Sequence, residues 1–172
     1  MELLKIIKEE EAYPGVTPGK PTKWKFRRAA RAVIFDKDGK VGLLYVSKLG
    51  YYKLPGGGIE NSEAIEEALE RECLEEIGCN VIVKEEIGQV VEYRNKITTE
   101  QESLCYIAEV VGEKGEPNLE QDEREAGFQS VWVDIDEALK LVENSKPTSY
   151  DGPFIVIRDL VFLEKAKNIK KI

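Results

Sequence analysis

Three glutamates, Glu72, Glu75 and Glu76, follow Arg71 in a stretch whose apolar spacing is helical. Separations of three and four residues bring all three carboxylates within about one turn. At roughly 100° per residue, Glu72 and Glu76 fall on the same side as Ile65, Ala68 and Leu69, the side a folded domain buries. Adjacent carboxylates repel, and desolvating each costs several kcal/mol unless a cation compensates. All-oxygen ligation suits Mg²⁺, or Mn²⁺ in its place, and both ions also bridge substrate phosphates. Glu66, Glu67 and Glu70 read instead as an ordinary solvated face. Just ahead of the helix stand Gly56, Gly57 and Gly58. Such a run either turns the chain sharply or lets backbone approach a ligand closely. It is neither a P-loop nor a dinucleotide-binding G-x-G-x-x-G motif. Beside the acidic helix, a loop carbonyl could complete a metal shell and N-terminal amides could face phosphate oxygens.

The elements that must position these groups are legible around them. The spacing predicts a strand over 29–35, a turn at Asp36-Lys37-Asp38-Gly39 and a returning strand over 41–47. A short strand, 51–54, runs into the glycines. The helix is expected over 61–77, capped by Asn61 or Ser62 and stopped by Gly78 in a left-handed conformation. Residues 81–83, 87–93 and 103–111 are strand candidates, 112–127 a polar acidic loop and 131–133 a last short strand. Helices are expected over 135–143 and 154–167. Short strands among separated helices indicate an α/β layered domain. Residues 1–22, punctuated by Pro14, Gly15, Pro18, Gly19 and Pro21, read as a loop-like arm. The domain proper then spans 23–168, and 169–172 form a basic, fraying tail.

Taken together, Gly57-x5-Glu63-x7-Arg71-Glu72-Cys73-x-Glu75-Glu76-x-Gly78-Cys79 resembles the Nudix box, the signature of the Nudix hydrolases. Cys73 and Cys79 stand at two bulky-aliphatic positions and keep small apolar character. The lead-in Tyr52-Lys53-Leu54-Pro55-Gly56-Gly57 also looks like that family's approach to the box. The resemblance implies an α/β/α sandwich with a mixed sheet and Mg²⁺-dependent hydrolysis of a nucleoside diphosphate linked to another group. Carried over by position, Glu72, Glu75 and Glu76 would hold metal or activate water, with the Gly56 carbonyl also on metal. Arg71 would orient its neighbouring carboxylates, and Glu63 would be a supporting carboxylate. Family members often add a carboxylate from a loop outside the box; spacing back from Trp132 makes Glu123 the first choice here and Glu125 the second.

Substrate recognition is less sharply written. Lys20, Lys23, Lys25, Arg27, Arg28 and Arg31 form a basic run without an acid, suited either to phosphates or to guarding an edge strand. Tyr51, Tyr52 and Tyr93 either stack a base or fill half-buried strand positions. The favoured candidates for substrate are therefore Arg31, Tyr52 and Tyr93. The favoured substrate is a nucleoside triphosphate, plain or modified. The alternatives are hydrolysis of an NDP-sugar or dinucleoside polyphosphate, and a nucleotide-sensing domain without turnover.

The composition closes off other chemistries. The 172 residues contain no histidine, so triads with a His base and zinc–histidine sites are excluded by inventory. A formal charge of −8 counts against binding to a nucleic-acid backbone. Cys73, Cys79 and Cys105, odd in number and without a C-x-x-C pair, read as reduced thiols of a cytoplasmic protein. No apolar run approaches the roughly 20 residues of a membrane span. The expected partner is a small nucleotide, with the arm 1–22 a candidate for pairing two copies.

Overall fold

The computed structural model describes residues 1–170. In chain order the elements are β1 (Leu3–Ile7), α1 (Glu9–Ala12), β2 (Lys25–Phe35), β3 (Val41–Val46), β4 (Tyr51–Lys53), α2 (Ile65–Ile77), β5 (Asn80–Arg94), β6 (Thr99–Val111), α3 (Gln121–Ala126), β7 (Phe128–Val133), α4 (Ile135–Glu143) and α5 (Gly152–Lys170). The strands form one mixed sheet in the order β1-β5-β6-β2-β3-β4, with β7 also on β3. The pairs β1–β5 and β2–β6 are parallel and the others antiparallel. The chain is thus an α/β layered domain, as its pattern implies.

Central strand β2 explains the layering. Every residue from Ala29 to Phe35 is buried, because both faces of the strand are covered. Ala30, Ala32 and Ile34 pack with Ala68, Leu69 and Cys73 of α2. Val33 and Phe35 share the opposite core with Phe154, Phe162 and Leu163 of α5.

The site depends on where β3 leaves β2. The two pair only at Ile34–Gly42 and Phe35–Val41, which frees the edge of β2 ahead of them. The glycine loop fills that edge. Ala30 N donates to Gly57 O (3.0 Å), Ala32 N to Pro55 O (3.1 Å) and Ile59 N to Arg28 O (3.1 Å). Arg27 and Arg31, spaced by the strand period, come to lie beside the loop.

Several local expectations need correcting. Residues 3–7 are not loop but edge strand β1, because Ile7 inserts into the core beside β5. Helix α2 starts at Ile65, not at Asn61: Glu63 is turned toward Arg71, Ser62 adopts a φ of 67°, and Glu67 reaches back to the Ala64 N–H (2.9 Å). Its stop at Gly78 is left-handed (φ 70°) as expected. The two strand candidates over 81–93 are one bulged strand, β5. The acidic loop 112–127 contains α3, whose first turn is tied by Glu123 Oε2 accepting from Glu120 N (2.7 Å). Helix α5 runs unfrayed to Lys170, anchored by Lys167–Asp136 (2.6 Å) and Lys170–Glu109 (3.1 Å); the last two residues of the expected tail lie outside the described ones.

Candidate active site

A cleft of about 410 Å³ opens between the glycine loop, α2, β2 and α3. One wall carries Glu72, Glu75 and Glu76, the other Arg27, Arg31 and Lys53, and Glu120, Asp122, Glu123, Phe128 and Asp151 complete the lining.

Helix α2 delivers two of its carboxylates from its buried face, as the spacing requires: Glu72 is 9% and Glu76 2% exposed. Glu76 Oε2 accepts the Gly56 N–H (2.6 Å), and Glu76 Oε1 meets Lys53 Nζ (2.6 Å). Arg71 sits behind the acidic cluster. Its guanidinium donates to both oxygens of Glu63 (2.9 and 3.1 Å), to Glu72 Oε1 (2.8 Å), to Glu75 Oε2 (3.3 Å) and to Gly58 O (3.2 Å). One planar fork therefore fixes three acids and the glycine loop together, a geometry lysine cannot reproduce. The Gly56 carbonyl accepts from Arg31 Nη1. Gly56 itself stands at φ 129°, where a side chain would overlap the Ala30 carbonyl, and a Cβ on Gly57 would collide with the Glu72 carboxylate.

The electrostatics follow from this packing. Burial, and then repulsion from Glu76, raises the Glu72 carboxyl above its ordinary value. The Arg71 hydrogen bond holds Glu63 below its own. Burial, reinforced by Arg158, lowers the Arg31 guanidinium to about 10, so it remains charged at neutral pH. Glu123 is raised by burial and by Glu76.

The oxygen-only donor set at Gly56, Glu72, Glu75 and Glu76 fits a hard divalent cation. Two neighbouring, nearly buried carboxylates also need more positive charge than water can supply. Among the described residues, however, no three acidic or cysteine side chains already stand in a metal-holding arrangement. Arg71 and Lys53 hold these carboxylates as ion pairs instead.

Of the residues singled out in the sequence, Gly56, Gly57, Glu72, Glu75, Glu76, Arg31 and Glu123 line the cleft, with Arg71 and Glu63 directly behind it. Gly78 lies at the far end of α2 against the Gly115 backbone. Glu125 pairs with Gln121 on the outer side of α3 (2.9 Å). The two tyrosines are not brought in. Tyr52 stacks on Tyr45 (4.6 Å between centroids), and Tyr93 meets Trp24 edge-on (5.2 Å), so both fill strand positions. Sequence reasoning passed over Lys53, Phe128 and Asp151 in the lining, and Asp159 beneath it. Asp159, fully buried, accepts from Leu54 N (2.8 Å) and Arg158 Nε (2.7 Å), so α5 pins the strand that enters the glycine loop. A charged Arg158-Asp159 pair inside the otherwise apolar stretch 153–163 was the available signal.

A sheet with helices on both faces and this box at its open edge define a class. The family model for the NUDIX domain matches residues 25–151, and the chain belongs to the Nudix family. It is 32% identical over 116 residues to Nudix hydrolase 13, mitochondrial, of Arabidopsis thaliana, covering 62% of this chain and 55% of that protein. The chain thus spans about half the length of that curated relative. Its fold is similar to that of a MutT protein from Methanosarcina mazei Go1 (TM-score 0.61, 21% identity, 89% of this chain and 100% of that one). A NUDIX hydrolase from Nitrosomonas europaea is comparable (TM-score 0.62, 21% identity, 85% and 91% covered).

Proposed function

We propose that the protein hydrolyses a diphosphate bond in a nucleoside triphosphate, plain or modified, with Mg²⁺ or Mn²⁺ at Gly56 O, Glu72, Glu75 and Glu76. The observation that carries the proposal is the two-walled cleft, with three carboxylates facing Arg27, Arg31 and Lys53. Its volume lies within the usual range for small-molecule sites. The cationic wall suits several phosphate charges in a row. When bound, the cation supplies charge neutralisation at the phosphate oxygens and a more acidic water. The chain's own groups do the rest. Arg71 holds Glu72 and Glu75 in one orientation, and Asp159, accepting from Leu54 N, fixes the strand that leads into Gly56. The Arg27 and Arg31 guanidiniums bind phosphate. Water adds to one phosphorus, the bridging P–O bond breaks, and the water's proton passes to a carboxylate, Glu123 first and otherwise Glu72 or Glu75.

The cytoplasm is part of the same proposal, supported by three buried, unpaired thiols and checked by fractionation. Among the described residues, no helix is long and apolar enough to cross a membrane. Pairing of two copies through residues 1–22 remains an expectation that light scattering checks. The decisive experiment screens nucleoside di- and triphosphates, sugar nucleotides and dinucleotides with Mg²⁺, identifying products by mass. Cleavage of a triphosphate between its phosphates, abolished by chelator, is expected. Tight binding of nucleotide without turnover, or full activity in excess chelator, would overturn the reading.

A further inference from the structure

Two cations of the cleft stand on groups assigned above to the metal. Lys53 Nζ lies 2.6 Å from Glu76 Oε1, and Arg31 Nη1 donates to Gly56 O. Both residues are nine-tenths buried or more, Arg31 on central strand β2 and Lys53 on the edge strand β4. Each also has capacity to spare. Arg31 Nε is buried with no hydrogen-bond partner. Lys53 lies over the Phe128 ring, 4.7 Å from its centroid, and Phe128 also lines the cleft. A guanidinium and an ammonium cannot share an acceptor oxygen's inner position with a divalent ion, since like charges at such range repel strongly in a desolvated site.

We infer that Lys53 and Arg31 are exchangeable counter-ions, which cover Glu76 and Gly56 O while the site is metal-free and move onto the substrate's phosphates when the cation arrives. The inference rests on the metal reading above and adds a phosphate-binding role for Lys53. The lysine stem is long and rotatable, so the ammonium swings without backbone movement, along the Phe128 ring over which it already lies. The new anion it meets is the phosphate that the metal brings in. Metal and phosphate then assist each other's binding, because each removes the cost the other would face, and the assistance is reciprocal.

The two halves of this exchange have opposite signs in one variant. In Lys53→Met, which conserves length and apolar stem, Mn²⁺ alone no longer competes with the ammonium. Mn²⁺ affinity, read by paramagnetic resonance of the free ion, is expected to tighten roughly ten- to hundredfold, the scale of one charged hydrogen bond. Affinity for imidodiphosphate, a non-hydrolysable diphosphate, at saturating Mn²⁺ is expected to weaken by roughly tenfold or more. Calorimetry measures it, and Lys53→Gln serves if Lys53→Met fails to fold. A site merely damaged by the substitution would lose both affinities, and that result overturns the inference. So does unchanged Mn²⁺ affinity. Tighter Mn²⁺ with unchanged imidodiphosphate binding overturns it too, by showing that the ammonium goes elsewhere, for example to Glu123. If the wild-type protein binds no Mn²⁺, the metal reading itself falls and the exchange with it, a result distinct from every variant outcome.

Discussion

Gly57→Ala isolates the placement of one carboxylate from the stability of the fold. Gly57 has no positive φ, so alanine brings no backbone strain at this position. Its Cβ would stand 2.2 Å from Glu72 Oε1, whereas ordinary contact begins at 3.4 Å, so the carboxylate must retreat by about 1.2 Å. That movement stretches the Arg71–Glu72 bond, now 2.8 Å, beyond hydrogen-bond length. A misplacement of about 1 Å in a catalytic group costs on the order of 10²-fold in rate. Fold stability should change little, because ionised Glu72 is already held at a cost by its burial. Gly56→Ala is the contrast. There the φ of 129° and overlap with the Ala30 carbonyl and Arg31 Cα strike rigid backbone, with an expected loss of roughly 2–5 kcal/mol. Steady-state turnover of the substrate found by screening, Mn²⁺ affinity and thermal melting of both variants form the assay. If Gly57→Ala turns over within about twofold of wild type, far from the 10²-fold expected, the assigned role of Glu72 is refuted.

Arg71→Lys should lower turnover on the order of tenfold or more with little change in melting temperature, because one ammonium cannot bridge Glu63, Glu72 and Glu75; equal turnover would make Arg71 a surface charge. Glu123→Gln should cost about 10²–10⁴ in turnover, and Glu125→Gln almost nothing. Because Glu123 is raised by burial and by Glu76 and must be ionised to accept a proton, the acidic limb of the wild-type pH–rate profile should lie above an ordinary glutamate's value and vanish in Glu123→Gln. Glu72 is likewise raised in the folded state, so its ionisation penalises the metal-free fold above that raised value and the penalty lifts as pH falls toward the unfolded value. Glu72→Gln should therefore melt no lower than wild type in chelator at neutral pH, and lose most of the Mn²⁺-induced rise, both read by calorimetry. Asp159→Ala leaves buried Arg158 and the Leu54 N–H without their main partner and should destabilise by roughly 3–5 kcal/mol in denaturant titration.

The features determined by sequence alone are those set within a few residues of each other. Glu72, Glu75 and Glu76 share a turn because helical periodicity is local, and the apolar positions Ala68, Leu69 and Cys73 already say which of them face inward. The left-handed stop at Gly78 and the strand-like run Ala29–Phe35 of β2 are legible for the same reason. The exact start of α2 escaped because Glu63 answers to Arg71 rather than to its neighbours, and β1 escaped because five residues with no amphipathic signal become a strand only when β5 offers an edge.

Only the tertiary structure decided what opposes the carboxylates. Lys53 reaches Glu76 across 23 residues, Arg31 reaches Gly56 across 25, and Leu54 is held by Asp159 across 105. Those meetings depend on β3 parting from β2 after two residue pairs and leaving an edge for the glycine loop, a register that periodicity does not encode. The same packing put Glu123 over the cleft and turned Glu125 away, since α3 shows one face to the site. It also spent Tyr52 and Tyr93 on strand packing with Tyr45 and Trp24. A strand's side chains alternate between two faces, and which face meets a ligand is settled by what covers the other.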